Sequence, residues 1–356
     1  MKVNNKDYRT VWMEGNEVKL INQTLLPHKF EVYTCKNHEE TANAIKTMIV
    51  RGAGAIGATA AYGAAQAALE ANNGNFRDYI KNAAETIRKT RPTAQNLFTG
   101  INFVLKSIKN LSNLNEIRKT AVEKANEFAD YDVMACKKIG ELGNALIKDK
   151  CRIETHCNAG WLAFVDWGSA LSPIYFAHRA GKDVFVFVNE TRPRNQGSML
   201  TAWELAQEKI KHAVIADNAA GYYMKRKEID MVITGADRIV ANGDIANKIG
   251  TYEKAVLARE NKIPFYVAAP TTTFDLETEN GDKIPIEERS QEEVSYVSGY
   301  DRSGNVTRVR ITPNESPAKN PAFDVTPAKY ISGIITEKGI VKANKKDIKK
   351  LFNNGK

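Results

Sequence analysis

Cys157 and Asp237 are the side chains of this sequence best placed to move protons. Each ends a short apolar run: Cys157 closes RIETHC, and Asp237 closes IDMVITGAD. THCNAG reads as a strand running into a helix, and a thiol at a helix N-terminus has its pKa brought down from about 8.5 toward neutrality. Such a thiol can exchange protons at physiological pH. The plainer readings are a buried structural cysteine for Cys157, and a helix cap or an ion-pair partner of Arg238 for Asp237. Ten residues past Asp237, Asn247 and Lys248 are read as the start of the next helix, where an amide and an ammonium would suit phosphate and sugar oxygens.

A second group of candidates lies in the first third. RGAGAIGATAAYGAAQAA spaces Gly52, Gly54 and Gly57 like a dinucleotide fingerprint. That fingerprint must follow a strand and open a βαβ unit, whereas TANAIKTMIV before it reads as helix and NNGN ends the stretch without a second strand. NAD binding is therefore rejected. What remains is a helix packed closely through small residues, or a Gly-rich turn that offers N–H groups to a phosphate beside the Arg51 guanidinium. Arg91-Pro92-Thr93 opens a further helix, with proline at a favoured first-turn position and Arg91 just outside it.

The elements that must hold these residues follow from periodicity. Thr10 to Glu14, Glu17 to Ile21 and Phe30 to Thr34 read as a small antiparallel sheet with a turn at Gly15. From Glu39 to about Lys148 apolar residues recur every three or four positions, as in Ala121, Val122, Ala125, Phe128, Ala129 and Val133, which predicts a helical bundle. Beyond Asp149, RIETHC, DVFVFVNE, HAVIADN, IDMVITGAD and PFYVAAP alternate with helical stretches, predicting a Rossmann-like parallel sheet covered by helices. The expected fold class is thus α/β, with domains at 1–124 and 125–345 and a basic tail at 346–356. Ligands of such sheets sit beyond the strands' carboxyl ends, so Cys157, Glu190-Thr191-Arg192, Asp217-Asn218 and Asp237-Arg238 are expected to converge on one pocket.

Composition narrows the class of protein. With 356 residues, 43% of them hydrophobic, the chain can bury a large core, and its polar N-terminus and lack of long apolar runs point to the cytoplasm rather than a membrane. Cys35, Cys136, Cys151 and Cys157 form no C-x-x-C pair, and His28, His38, His156, His178 and His212 are scattered, so neither disulfides nor a metal site is expected. Much of the net charge of +9 sits in KANKKDIKK, which reads as a solvated tail and not as a nucleic-acid patch. A basic protein also attracts a small anion such as a sugar phosphate.

The segments THCNAG, NETRPRNQGSMLTAWEL, DNAAGYYM, GADRIVANGDIANKIGTYEKAVLA, PFYVAAP and IPIEER closely resemble the methylthioribose-1-phosphate isomerase family, within the wider family that includes the regulatory subunits of initiation factor 2B. TLLPH, RGAGAIG and RPTAQNLF extend the likeness over nearly the whole chain. The resemblance implies an aldose-ketose isomerase of methionine salvage and a homodimer, without metal or other cofactor. It implies catalytic roles for Cys157 and Asp237, and binding of the sugar phosphate by Arg51, Gly52, Ala53, Arg91, Gln196, Asn247 and Lys248. Asp237, kept protonated by an apolar setting, is expected to serve the ring oxygen and Cys157 to serve C2 and C1, or the reverse.

Two departures from the family bear on the substrate. Gly54 stands where a proline is usual, which should loosen the phosphate loop. Trp161, Phe164, Asp166 and Trp167 are bulkier than or different from the usual residues, and Trp161 and Phe164 would share one helix face, lining the site or packing into the core. A 5-deoxyribose 1-phosphate isomerase, or an enzyme that accepts both sugars, is therefore an alternative. A non-catalytic binding module is another, and a ribose-1,5-bisphosphate isomerase would need further cations, which the sequence does not display.

Overall fold

The chain is described by a computed structural model at residues 1–72, 74–91 and 94–353, so Pro92 and Thr93 of the expected helix start lie outside the described residues. The expected N-terminal sheet is present as Val11–Glu14, Glu17–Ile21 and Val32–Cys35, antiparallel throughout. Helices His38–Lys46, Ala53–Glu70, Phe76–Arg88, Gln95–Ile108 and Leu114–Asn144 follow. Helix Ala53–Glu70 runs through the middle of this bundle, buried from Gly54 to Ala68. Its small side chains let the neighbouring helix approach so closely that a Cβ on Gly100 would lie 2.2 Å from the Gly57 carbonyl oxygen.

The boundary expected at 124/125 falls inside the unbroken helix Leu114–Asn144. Its apolar spacing continues past Val133, so Ala121, Ala125 and Ala129 pack in the N-terminal core while Ile139 packs in the next one. One helix thereby ties the bundle to the second half of the chain.

That second half holds a seven-stranded sheet in the order Gly339–Val341, Gly333–Thr336, Phe265–Ala268, Met231–Thr234, Arg152–Thr155, Phe185–Asn189, Lys211–Ile215. All pairings are parallel except that of the edge strand Gly339–Val341. Chain order runs outward in both directions from Arg152–Thr155 and Met231–Thr234, so the switch point of this doubly wound sheet lies between those two strands. A second, four-stranded sheet of Phe274–Asp275, Arg238–Val240, Ile245–Lys248 and Phe323–Thr326 stands beyond it.

The end of the chain corrects the sequence reading. Lys345–Asn353 forms a helix that buries Ile348 and Leu351 in the core, because these two stand three apart among the lysines and make an apolar stripe. Among the described residues no helix is long and apolar enough to cross a membrane.

Candidate active site

Cys157 lies two residues past strand Arg152–Thr155, and Asp237 three past Met231–Thr234, so they flank the switch point. Both line one cavity of about 530 Å³, together with Arg51, Gly52, Ala53, Arg91, Gln196 and Lys248. Asn247 does not reach it. Side chains alternate along Ile245–Lys248, so Ala246 and Lys248 face the cavity while the Asn247 amide donates to Thr251 Oγ1 at 3.0 Å. The expected helix start at Asn247-Lys248 is thus a strand end, and the helix begins at Thr251.

No helix follows Cys157 directly. The residue itself is in the left-handed region at φ 65°, and the chain beyond makes only a 3₁₀ turn at Trp161–Ala163. Its N–H donates to Thr191 Oγ1 at 2.9 Å, and its carbonyl accepts from Thr201 Oγ1 at 2.7 Å. Burial pushes the thiol pKa up, against the pull of Arg51 and Lys248 and with a further upward push from Asp237. This reverses the lowered thiol read from the sequence, because desolvation acts here without a helix dipole to oppose it.

The cations around the two residues are held in an unusual way. Arg51 donates to Asn158 Oδ1 at 2.6 Å and to the Asn158 carbonyl at 3.0 Å. Lys248 donates to the Ala322 carbonyl at 2.8 Å and lies 4.9 Å over the Phe323 ring, with burial bringing its pKa down to about 8. Neutral oxygens thus fix both side chains, and among the described residues neither forms an ion pair. Arg91 comes no nearer than 3.9 Å to Glu287, its Nε is buried without a partner among the described residues, and burial with Arg289 nearby lowers its pKa. Asp237 is half-buried and within electrostatic reach of Arg91 and Lys248, a cationic setting and not the apolar one expected.

Glycine at 52 is required by space as well as by backbone. It caps helix Ala53–Glu70 at φ 92°, and a Cβ there would lie 2.4 Å from Cα of Ala163. The loop behind Cys157 is therefore pressed against the turn that presents Arg51.

Other expectations are corrected. Thr191, Arg192 and Asp217 do not line the cavity. Asp217 instead accepts the N–H groups of Thr191 and Arg192, both at 2.7 Å, and so braces the loop that supports Cys157. Trp161 and Phe164 share no helix face: Trp161 packs in the core beside Leu162 and Trp203, Phe164 packs with Cys136, and neither lines the cavity. Gly54 lies inside the helix, where a Cβ would come within 2.4 Å of both Phe164 Cδ1 and Asp132 Oδ1. The small residue at 54 and the large one at 164 accommodate each other away from the cavity.

Residues that the sequence reading passed over also line the cavity, among them Arg289, Arg194, Arg308, Met48, Met199 and Tyr296. IPIEER was a signal for Arg289. Hairpin Tyr296–Tyr300 with Val306–Arg310 carried no comparable sign, being short and largely exposed.

Comparison with known proteins places this arrangement. The profile described as the initiation factor 2 subunit family matches residues 49–343. A methylthioribose-1-phosphate isomerase from Sulfurimonas denitrificans is 48% identical over 359 residues, covering 97% of this chain and 99% of the relative. One from Acetivibrio thermocellus is 51% identical over 329 residues, covering 91% and 94%. The crystal structure of 5-methylthioribose 1-phosphate isomerase from Pyrococcus horikoshii OT3 superposes with a TM-score of 0.88 at 44% identity, covering 98% of this chain and 97% of that one. A structure described as translation initiation factor eIF-2B, subunit delta, from A. fulgidus superposes with a TM-score of 0.83 at 41% identity, covering 97% and 99%. Matched along nearly its whole length, the chain belongs to the initiation factor 2 subunit family.

Proposed function

We propose that the cavity converts 5-methylthioribose 1-phosphate to 5-methylthioribulose 1-phosphate by acid-base proton transfer. The observation that carries this reading is the meeting of Cys157 and Asp237 with the cations Arg51 and Lys248, both held by neutral oxygens, in one cavity at the switch point. The names of the Sulfurimonas and Pyrococcus relatives support it.

The substrate sets the chemistry. Phosphate on C1 prevents the ring from opening to an aldehyde as a free sugar does, so the ring oxygen must be protonated as the C1–O4 bond breaks. Loss of the C2 proton then gives an enol phosphate. Return of a proton to C1, with release of the O2 proton, yields the ketose. Burial keeps Cys157 a thiol, and a bound phosphate would cancel the pull of Arg51 and Lys248 that favours the thiolate. In this reading Cys157 therefore protonates the ring oxygen, and Asp237 takes the C2 proton and delivers it to C1. The O2 proton restores the thiol, and the cycle closes without net gain or loss of protons.

Arg51, Lys248, Arg91 and the N–H groups of Gly52 and Ala53 bind the phosphate, and Gln196 binds the sugar hydroxyls. Asn247 supports Lys248 from the far side of the strand. Met48, Met199 and Tyr296 give the cavity an apolar share suited to a 5-methylthio group. The enzyme acts without metal or other cofactor, as a cytoplasmic homodimer with no nucleic-acid partner.

A second phosphate finds less support, although the cavity holds more cations than the sequence displayed. Arg194 meets Glu293 at 3.0 Å, Arg308 meets Glu292 at 2.9 Å and Arg238 meets Asp275 at 3.3 Å, so these arginines are already paired. The likeness to the A. fulgidus protein keeps a non-catalytic binding role in view. A coupled assay comparing methylthioribose 1-phosphate with 5-deoxyribose 1-phosphate decides among these readings. We expect turnover of the first at the higher kcat/KM; turnover of the second alone would reassign the substrate, and turnover of neither would favour the binding role.

A further inference from the structure

Glu204 is a carboxylate with no exposure to solvent, and it sits behind the cavity without lining it. Four donors converge on it: Trp161 N at 2.9 Å, Leu162 N at 3.2 Å, Asn158 Nδ2 at 2.8 Å and Tyr175 Oη at 2.5 Å. Burial raises its pKa to about 7, the four donors opposing the rise. The backbone makes room for it at Gly160, where a Cβ would lie 1.8 Å from Glu204 Oε2. A buried group this closely fitted, with every near neighbour donating, fixes the atoms that donate to it.

The donor that matters is Asn158. An amide has one face that donates and one that accepts, and Glu204 accepts only from the first. With Nδ2 held by Glu204 and by Thr201 Oγ1 at 3.2 Å, Oδ1 must point the other way, where Arg51 donates to it. Thr201 in turn donates to the Cys157 carbonyl, so the same knot also holds the backbone of the thiol. Its placement follows from the chain: Gln196 reaches the cavity, the π-helical turn Gly197–Thr201 follows, and Glu204 stands in the first turn of helix Ala202–Gln207.

We infer that Glu204 is a positioning residue for phosphate binding, acting on Arg51 through the orientation of the Asn158 amide. Asn158 carries the constraint without the charge. A carboxylate in its place would pair with Arg51 and weaken its hold on an anion, whereas the neutral amide sets the guanidinium in position and leaves its charge to the substrate. This inference rests on the reading of Arg51 as a phosphate ligand.

The test uses the full-length protein, with inorganic phosphate binding followed by calorimetry and, in parallel, KM and kcat on methylthioribose 1-phosphate. Glu204→Gln brings an amide N–H against at least one of the backbone N–H groups, and Asn158→Leu keeps the size of the side chain but removes the side-chain bonds to both Glu204 and Arg51, leaving Arg51 only its bond to the backbone carbonyl of residue 158. Each should weaken phosphate binding and raise KM about tenfold, as loss of one charge-assisted bond does, with kcat changing less. In the Arg51→Ala background, Asn158→Leu should add less than about twofold, since the residue it positions is gone. Equal effects with and without Arg51, or a fall in kcat at unchanged phosphate affinity, would overturn the inference and leave Glu204 a packing group. Asn158→Leu decides the matter if Glu204→Gln does not fold. Loss of phosphate binding in Arg51→Ala supports the underlying reading whatever the behaviour of Glu204, and its absence sinks that reading by itself.

Discussion

Arg51 and Arg308 line the same cavity, but only Arg308 meets a carboxylate there. The difference extends to their neighbours. Arg51 and Lys248 are held by amide and carbonyl oxygens, and among the described residues Arg51 has no ion pair. Arg308 and Arg194, which are 51% and 34% exposed, pair with Glu292 and Glu293. Fixing a cation with neutral acceptors costs desolvation but keeps its field for a ligand, whereas pairing an exposed cation spends that field locally. The cavity therefore has one cationic region, where the thiol and Asp237 also lie, and a rim that is close to neutral.

The sharpest way to break this comparison is at the proton-moving pair. Cys157→Ser and Asp237→Asn should each lower kcat by at least about a hundredfold with the fold intact, the scale of positioned acid-base groups. Rates near normal in either variant remove that residue from the mechanism. Next come the cations held by neutral oxygens. Arg51→Ala and Lys248→Ala should each raise KM between about tenfold and a hundredfold, as loss of a charge-assisted contact does. An unchanged KM in both would put the phosphate elsewhere.

The pH profile sharpens the point. Burial lowers the Lys248 pKa to about 8, so the free enzyme loses this charge as pH rises through that value. In wild type kcat/KM should fall along a limb near pH 8, and Lys248→Met, which carries no charge at any pH, should lack it. Persistence of that limb in the variant would assign it to another group.

At the rim, Arg194→Ala and Arg308→Ala should change KM by less than about threefold, as exposed paired charges do. A tenfold effect there would mean that the rim takes an anion of its own and would reopen the bisphosphate reading. The smallest effect on activity is expected at Phe164. Phe164→Ala should cost about 3–5 kcal/mol of stability as a core truncation, while the ratio of kcat/KM between methylthio and deoxy sugars stays put. A tenfold shift of that ratio, the scale on which pocket groups discriminate, would restore Phe164 to the substrate site.

Much of this was legible in the chain. The alternation of apolar runs with helices indicates the parallel sheet, and the residues that end those runs mark the switch point. What could not be read was which strand ends face inward. Asp217 closes its strand as Cys157 does, but it is used by the N–H groups of the neighbouring loop, a tertiary arrangement without local signature. Asn247 was read as part of a helix start; it lies in strand Ile245–Lys248, whose two-residue period turns it to the face opposite Lys248. The thiol was misjudged because a helix was expected after Cys157, and the left-handed backbone at that residue sends the chain into a loop instead. Trp161 and Phe164 at helical spacing were open to two readings, and only the packing beside Cys136 and Trp203 distinguishes them.

The most direct measurement follows methylthioribose 1-phosphate by proton NMR during incubation with the purified protein in the presence of EDTA, beside Cys157→Ser under the same conditions. The wild-type protein should produce the open-chain ketose 1-phosphate, and the variant should not do so at a comparable rate. Absence of the ketose with wild type, its formation only after a divalent ion is restored, or undiminished formation with Cys157→Ser would contradict the assignment of this cavity as a metal-independent acid-base isomerase.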